Sequence, residues 1–441
     1  MMALTFKAGL HLQEHKEATQ GESIKRLPPP KEVTIPLLQH LGAPAKAIVE
    51  PKAEVILGEK IGEPQGFVSA AVHASISGVV RAVRELPAPP AGRRVASIII
   101  ERKEIEEQPD FKSSVVTLDK LTPEDIRAAV AEAGIVGLGG AAFPSQVKLS
   151  PPEEKPVDTV ILNGCECEPY LTCDHRLMLE RPEEALFGLK AIMRAVEAPR
   201  AFIGIENNKP DAIQVMQKIC QEEENIDVAV LKTKYPQGGE KMLIEAVLAR
   251  RVPLGGLPMD VGALVHNVGT AVAIAECLTS GKPLMERVIT VVGSGVREPA
   301  NVLVPIGTPL RDVIESCGGL SDTAAQVILG GPMMGFAQAA LDTPVVKGTC
   351  GILVLERDEV LPFEETPCIR CGRCVDVCPV FVVPSDLARF AKAADIGRLM
   401  EYDVMNCCEC GCCAYVCPAR IPLVHLLRLG KQLVQTAAKK S

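Results

Sequence analysis

The chain lacks several features that define common classes of protein. It has no excess of basic residues, because 47 Lys and Arg stand against 55 Asp and Glu, which gives a net charge of −8. Phosphate backbones select for basic surfaces, so nucleic-acid binding is not expected. No continuous apolar segment reaches the roughly 18 to 20 residues that a membrane span requires. Residues 1–7 also lack the apolar core of a secretory signal. We therefore expect a soluble chain in a reducing compartment.

Aromatic residues are scarce and cysteines are abundant. The 441 residues include no Trp, 10 Phe and 4 Tyr, but 17 Cys. In a reducing compartment, so many cysteines indicate metal ligands or small buried hydrophobic residues rather than a disulfide framework. The length predicts about three domains, each with its own core.

The hydrophobic pattern changes along the chain. A polar segment ends at Leu27-Pro28-Pro29-Pro30, and short apolar runs between Gly and Pro then predict a small β-sandwich or barrel up to about Ile105. Between residues 118 and 283, strand-like and helical stretches alternate, which is typical of a mainly parallel sheet covered by helices. Thr122 has the character of the N-cap of the first helix. Residues 287–355 predict strands around one helix at Leu310–Ser316.

One cysteine motif occurs twice near the C-terminus, as Cys368-x2-Cys371-x2-Cys374-x3-Cys378-Pro379 and Cys407-x2-Cys410-x2-Cys413-x3-Cys417-Pro418. This spacing is that of two-cluster ferredoxins, in which the fourth cysteine of each run ligates the other cluster. We expect that fourth cysteine to open a helix. The predicted ligands are Cys368, Cys371, Cys374 and Cys417 for cluster 1, and Cys407, Cys410, Cys413 and Cys378 for cluster 2. Zinc ribbons are the alternative, but they need no third close cysteine. Cys408 and Cys412 fall outside the spacing and are expected to pack as small hydrophobic residues or to point to solvent. A fallback cluster ligand is the alternative.

Four loops of the α/β region are candidates for ligand binding. A glycine loop, residues 137–148, offers backbone N–H groups and the charge of Lys148 to a phosphate. The acidic segment 163–169 follows a strand, at the end where α/β domains place ligands. Segments 235–241 and 266–270 stand at two helix entrances. The alternative interpretations are an ordinary glycine turn for the glycine loop, a solvated turn for the acidic segment and plain helix caps for the last two segments.

The order of these loops resembles the flavin-binding subunit of respiratory complex I, which holds FMN and receives hydride from NADH. Over essentially its whole length, the chain is similar to the C subunits of the Rnf electron-transport complex. The segments that carry this resemblance are 6–11, 35–44, 72–78, 163–175, 234–240 and the double cysteine motif.

The resemblance implies a multidomain α/β and β architecture. The expected units are an extended N-terminal arm (1–30), a lipoyl-like barrel-sandwich hybrid domain (31–110), a Rossmann-like FMN/NAD(H)-binding α/β domain (118–283), a soluble-ligand-binding β-grasp module (286–345), a helical ferredoxin-like domain with two 4Fe-4S clusters (360–430) and a tail (431–441).

The resemblance also implies roles for individual residues. Those expected to cradle non-covalent FMN are Gly137, Gly139, Gly140, Lys148, Asn163, Glu166 and Asn267. Those expected to lie toward the dinucleotide are Phe143, which would stack on adenine, Glu168, Tyr235 and Glu240. Ala142 stands where complex I has a glycine, and Cys165 where it has an aspartate that contacts the flavin. No catalytic acid, base or nucleophile is expected, because the cofactors carry the chemistry.

The function implied is that of the NAD(H)-handling subunit of a membrane ferredoxin:NAD oxidoreductase coupled to Na⁺ or H⁺ translocation. Its expected partners are the other Rnf subunits, especially the ferredoxin-type, cluster-bearing B subunit, with ferredoxin reached indirectly. Its expected location is the cytoplasmic face of the membrane, as a peripheral subunit. A cobalamin-reductase-like flavoprotein of a bacterial microcompartment is one alternative. A non-catalytic relay subunit that holds clusters but has lost its flavin site is another.

Overall fold

The computed structural model describes residues 3–89, 93–105, 109–360 and 364–438. Among these residues the strands form four sheets. The ends of the predicted arm and tail, at 1–2 and 439–441, lie outside the described residues, as do 106–108 in the predicted barrel domain and 361–363 in the predicted ferredoxin domain. Where the chain is described, no helix combines the length and the apolar character needed to cross a bilayer.

The arm and the first domain are built from short strands. Their bounds are β1 Lys25–Arg26, β2 Glu32–Pro36, β3 Lys46–Ala47, β4 Glu54–Val55, β5 Lys60–Glu63, β6 Val72–His73, β7 Gly78–Ala88 and β8 Arg93–Arg102. The sheets β2-β8-β7-β4 and β3-β5-β6 enclose a core that includes Val33, Ile61 and Ile98. Strand β1 belongs to the arm and pairs in parallel with Val302 and Leu303. The arm therefore packs on a module that is distant in sequence.

The second domain has the predicted alternation of strands and helices. Its bounds are α1 Pro123–Glu132, α2 Ser145–Lys148, β9 Thr159–Asn163, α3 Cys173–Glu180, α4 Pro182–Ala195, β10 Arg200–Glu206, α5 Pro210–Ile219, β11 Ile226–Leu231, α6 Glu240–Leu248, β12 Ala263–Asn267 and α7 Val268–Ser280, with 3-10 turns at Leu118–Lys120 and Pro258–Val261. The strands are parallel, in the order β11-β10-β9-β12. Helix α1 begins after Thr122, whose hydroxyl accepts from Asp125 N at 3.1 Å while the Asp125 carboxylate accepts from Thr122 N at 2.9 Å. This capping box confirms the predicted start.

The β-grasp module contains β13 Glu286–Val292, β14 Ala300–Pro305, α8 Leu310–Ser316, β15 Ala324–Leu329, β16 Phe336–Ala337 and β17 Gly351–Glu356. Its sheet runs β1-β14-β13-β17-β15-β16. Strand β17 lies beyond residue 345, the end that the resemblance implies, but its start falls within the segment 287–355 that the hydrophobic pattern predicts. It belongs to the sheet because it pairs in parallel with β13 and antiparallel with β15.

The cysteine-rich module is helical, with α9 Arg373–Asp376, α10 Pro384–Lys392, α11 Ile396–Glu401, a 3-10 turn at Val404–Asn406, α12 Cys412–Tyr415 and α13 Leu423–Ala438. The prediction that the fourth cysteine of each run opens a helix was wrong. Cys378 and Cys417 instead follow the short helices α9 and α12, each of which begins after a glycine with positive φ. Helix α13 continues past residue 430 and packs on the module through Leu423 and Leu427.

Together the modules reproduce the predicted architecture of a barrel-sandwich domain, an α/β domain, a β-grasp module and a helical cysteine module.

Candidate functional site

The strand order of the α/β domain creates a switch point between β9 and β12. From β9 the chain proceeds to β10 and β11 on one side and returns to add β12 on the other. Asn163 and Asn267, at the carboxyl ends of β9 and β12, are directly paired in register. Ligands of open α/β sheets bind in the crevice at such a point. Two of the predicted flavin residues therefore stand side by side where the topology places a ligand.

The glycine loop lies over the end of β12. The Leu138 N–H donates to Thr270 Oγ1 at 2.9 Å, and Arg287 Nη2 donates to the Leu138 carbonyl at 3.2 Å. A Cβ added to Gly139 would lie 3.4 Å from Asn267 Cβ, whereas one added to Gly140 (φ +100°) would meet no atom within 4 Å. The loop is thus fixed at Leu138 and open at Gly140, as a cradle requires.

Ala142 stands where the complex I subunit has a glycine, and its backbone conformation shows whether the loop keeps the same turn. Its φ is +48°, a left-handed conformation that favours glycine, and the residue is buried. The alanine therefore keeps the backbone turn that a glycine would make. The half-buried Phe143 follows it, and its carbonyl accepts from Gly137 N at 2.8 Å, which closes the loop.

Lys148, at the end of the glycine loop, contacts segment 235–241 and strand β12. Its Nζ donates to Glu240 Oε1 and to the Val265 carbonyl, both at 2.7 Å. Glu240 is the first residue of α6, where a carboxylate is favoured by the helix dipole. The predicted phosphate ligand and the predicted dinucleotide ligand are therefore an ion pair, and both remain partly exposed to solvent.

The acidic segment is held from several sides. Asn163 Nδ2 donates to the Gly238 carbonyl at 2.8 Å, and its Oδ1 accepts from Cys165 N at 3.1 Å. The Glu166 carboxylate accepts from Asp174 N at 2.7 Å and His175 N at 3.3 Å, so it caps the start of α3. The Cys165 thiol is fully buried and directed at the Gly204 carbonyl, 3.7 Å away.

Two residues predicted to face the dinucleotide are instead engaged with neighbouring modules. The Glu168 carboxylate accepts from the backbone N–H groups of Met333 and Met334 at 3.1 and 2.9 Å, and burial raises its pKa to about 7. The Tyr235 hydroxyl donates to the Cys410 carbonyl at 2.7 Å, and its side chain is 2 % exposed. Phe143 and Glu240 are partly exposed.

The structure adds residues to the site that were absent from the sequence prediction. Asp174 accepts from Asn267 Nδ2 at 2.6 Å, and burial, with the nearby Glu166 carboxylate, raises its pKa to about 7. Asp174 lies in segment 163–175, one of the segments that carry the family resemblance, so the sequence could have identified it.

Lys16 comes from the arm. Its buried Nζ donates to the carbonyls of Glu166 and Glu168 at 3.0 and 3.1 Å and to that of Leu171. Burial lowers its pKa. No motif surrounds Lys16 in the sequence, so no signal pointed to it.

The two cysteine runs differ in exposure. Cys368 and Cys371 are exposed, whereas Cys410 and Cys413 are buried. A cavity is lined by all four cysteines predicted for cluster 2, together with Cys408 and Cys412. Cys412 is fully buried and Cys408 half-buried in an apolar cluster with Tyr235, which confirms the expected packing of this extra pair.

The cysteines lie close to one another across the two runs. Burial raises the pKa of Cys413, and the Cys407 and Cys378 thiols add to that rise. Burial likewise raises the pKa of Cys374, with a contribution from the Cys417 thiol. Cysteines of both runs thus pack in one cluster, which is compatible with the crosswise ligand assignment, and that assignment stays a prediction.

These residues fit the cofactors. Close-set thiols that converge on a cavity suit a 4Fe-4S cluster. Backbone N–H groups, two asparagine side chains and a lysine around an open glycine loop suit a flavin phosphate.

Comparison with known families defines the class of protein. Residues 130–276 match the Nuo51 FMN-binding domain, residues 367–421 the 4Fe-4S dicluster domain, residues 288–337 the SLBB domain, and residues 4–104 the RnfC barrel sandwich hybrid domain. The chain is therefore an electron-transfer protein with an FMN-binding domain and a two-cluster iron–sulfur domain.

Relatives narrow this class to one family. The chain is 45 % identical over 387 residues, 88 % of its length and 84 % of the relative, to the C subunit of the proton-translocating ferredoxin:NAD(+) oxidoreductase complex of Clostridium ljungdahlii. It is 45 % identical, over 88 % of its length and 87 % of the relative, to the C subunit of the Na(+)-translocating ferredoxin:NAD(+) oxidoreductase complex of Acetobacterium woodii. It is 41 % identical, over 98 % and 83 %, to the C subunit of the ion-translocating oxidoreductase complex of Rhodobacter capsulatus. The chain belongs to the family of C subunits of the Rnf ion-translocating oxidoreductase complex, and the expected membership is confirmed.

Proposed function

We propose that this chain exchanges electrons between NAD(H) and a ferredoxin-linked carrier, as the C subunit of a membrane ferredoxin:NAD oxidoreductase that translocates Na⁺ or H⁺. One observation supports this most directly. The α/β domain that carries the crevice shares an interface with the cysteine module, through the contact of Tyr235 with Cys410. Flavin and clusters bound at these places would lie on one continuous path through the protein.

The residues of the crevice bind and orient the reactants. Gly137, Gly139, Gly140, Lys148, Asn163, Glu166 and Asn267 would hold FMN, with Lys148 and the loop amides at its phosphate. Phe143 and Glu240 are the accessible residues that would receive the dinucleotide. When bound, FMN supplies hydride exchange with the nicotinamide and one-electron exchange with the 4Fe-4S clusters.

We also propose a docking face for the carrier. Cys368 and Cys371 are exposed, and Ile369 and Phe381 beside this run have 67 % and 57 % of their surface accessible. A cluster in such a setting would exchange electrons with an external protein, and the cluster-bearing B subunit of the same complex is the partner we assign to it. With this partner, the chain would lie on the cytoplasmic face of the membrane as a peripheral subunit, and we propose that location.

Anaerobic stopped-flow addition of NADH to the holoprotein tests the proposal. We expect flavin bleaching followed by cluster reduction, with NADPH much less effective. Cofactor extraction should give one FMN and iron for two 4Fe-4S clusters per chain. Absence of FMN, or a flavin that NADH does not reduce, would contradict the NAD(H) function and favour a relay subunit.

A further inference from the structure

The two cysteine runs have different relations to the flavin-binding domain. The second run packs against it: Tyr235 and Cys167 of the α/β domain share an apolar cluster with Cys408, Cys410 and Cys412. At the edge of this contact, Lys241 Nζ donates to Asn406 Oδ1 at 3.0 Å. In the first run, Cys368 and Cys371 are exposed. The cavity predicted to hold cluster 2 is therefore on the flavin side of the module.

The backbone around Gly411 is also closely fitted to a neighbour. A Cβ added to Gly411 would lie 2.7 Å from the Met333 carbonyl. Glu168, next to Cys167, accepts from the Met333 N–H on the same loop. The second run is thus held between the α/β domain and the β-grasp module.

A short route connects the proposed flavin cradle to this run. Asn163 donates to the Gly238 carbonyl at 2.8 Å, and the Gly238 N–H donates to Cys167 Sγ at 3.4 Å. Tyr235 lies three residues before Gly238, and its hydroxyl donates to the Cys410 carbonyl at 2.7 Å. One buried side chain thus bridges the loop that contacts Asn163 and a predicted ligand of cluster 2.

We propose that cluster 2 is the cluster that exchanges electrons with the flavin, that cluster 1 is the terminal cluster at the surface, and that Tyr235 is a positioning residue for cluster 2. This inference rests on the proposed function. With the cofactors bound, an electron given up by the reduced flavin would reduce cluster 2, which would be reoxidised on passing that electron to cluster 1 and then to the external carrier.

The hydrogen bond of Tyr235 has an electrostatic consequence. Its O–H dipole places positive charge toward Cys410, and such hydrogen bonds near a cluster favour the reduced, more negative state. Removing the hydroxyl should therefore lower the midpoint potential of cluster 2 and leave cluster 1 unchanged.

The test is Tyr235→Phe in the anaerobic holoprotein, with Tyr415→Phe as the matched control, because Tyr415 is exposed on the same module. EPR-monitored redox titration gives both cluster potentials, and a soluble dysprosium complex identifies cluster 1 by broadening its signal. We expect a lower potential for the shielded cluster only. We also expect cluster reduction slower by roughly three- to tenfold, the range that corresponds to one net hydrogen bond.

Three results for the midpoint potentials would overturn the role of Tyr235: a shift confined to the broadened signal, equal shifts in both variants, or no shift. Rapid-freeze EPR of the unmodified protein tests the order of the clusters independently, since the shielded signal must appear first after NADH is added. If the broadened signal appears first, the order is wrong. If NADH fails to bleach the flavin of the unmodified protein, the proposed function itself fails.

Discussion

At the scale of single residues, the acidic loop depends on a lysine that is remote in sequence. The Lys16 ammonium is buried among the carbonyls of Glu166, Glu168 and Leu171, with the Glu166 carboxylate 4.0 Å away. Three carbonyl acceptors around one cation fix the path of the loop between β9 and α3. The arm thus positions a loop that carries a proposed flavin ligand.

Lys16→Met should therefore weaken FMN binding. The substitution leaves three carbonyls without their donor, at a cost of roughly 1 to 3 kcal/mol for each buried group left unsatisfied. We expect lower FMN content after gel filtration and unchanged iron content. Lys7→Met is the control, because Lys7 is an exposed lysine of the same arm. Full retention of FMN in Lys16→Met would show that the loop keeps its path without the arm.

Glu240→Gln tests the dinucleotide end of the crevice. The half-exposed carboxylate is proposed to bind the dinucleotide, and its loss should raise the KM for NADH by about tenfold, since a hydrogen bond to a charged group contributes roughly 1.5 kcal/mol or more. Iron content should not change. Glu245→Gln is the matched control on the same helix, because Glu245 pairs with Arg251 at 2.9 Å. An equal rise in KM for both variants would assign the effect to α6 as a whole.

At the scale of elements, the glycine loop and the end of β12 approach each other closely at Gly139. A methyl group there would be in ordinary contact with Asn267 Cβ at 3.4 Å, so the fold tolerates it. Gly139→Ala should change the free energy of unfolding by less than about 1 kcal/mol while it lowers the affinity for FMN. Fluorescence titration of the apoprotein measures that affinity, and Gly21→Ala, with no atom near the added Cβ, is the control. Unchanged affinity would place the flavin away from Gly139.

The elements also show what local sequence can predict. Helix α8 and the start of α1 were predicted at the residues where they occur. For α1 the signal is local, because the Thr122 capping box acts within one turn. Glu168 and Tyr235 were placed toward the dinucleotide, but their partners, Met333, Met334 and Cys410, belong to other modules. Such contacts depend on how modules dock, and no local pattern encodes docking.

At the scale of the whole molecule, one lysine joins three modules. Lys347, after the predicted end of the β-grasp module, donates from Nζ to the carbonyl of Ala71 in the barrel domain at 2.7 Å and to that of Gly134 in the α/β domain at 2.6 Å. Burial lowers its pKa from 10.5 to about 7. Between these values the unfolded chain binds a proton that the folded protein does not, so stability rises with pH from about 7 to 10.5.

Lys347→Met should remove this dependence. We expect a lower unfolding midpoint at every pH, because two carbonyls lose their donor, and a flatter rise of the midpoint between pH 7 and 10 than in the unmodified protein. Calorimetric scans of both proteins over this range measure the difference. Parallel pH profiles would mean that Lys347 keeps its proton in the folded state.

The crosswise ligand assignment is a prediction about the whole cysteine module. Cys378 lies in the first run but near Cys413 and Cys408 of the second, and Cys417 lies near Cys374 of the first. Cys378→Ser should therefore alter the EPR signal of the cluster shielded from a soluble dysprosium complex, and Cys417→Ser that of the exposed cluster. Cys412→Ser, at a packed thiol outside both predicted ligand sets, should leave both signals unchanged. The opposite pattern would mean that each run closes its own cluster. Each cluster would then have ligands from one run only. The ligand sets would no longer require the two clusters to lie side by side between the flavin crevice and the surface.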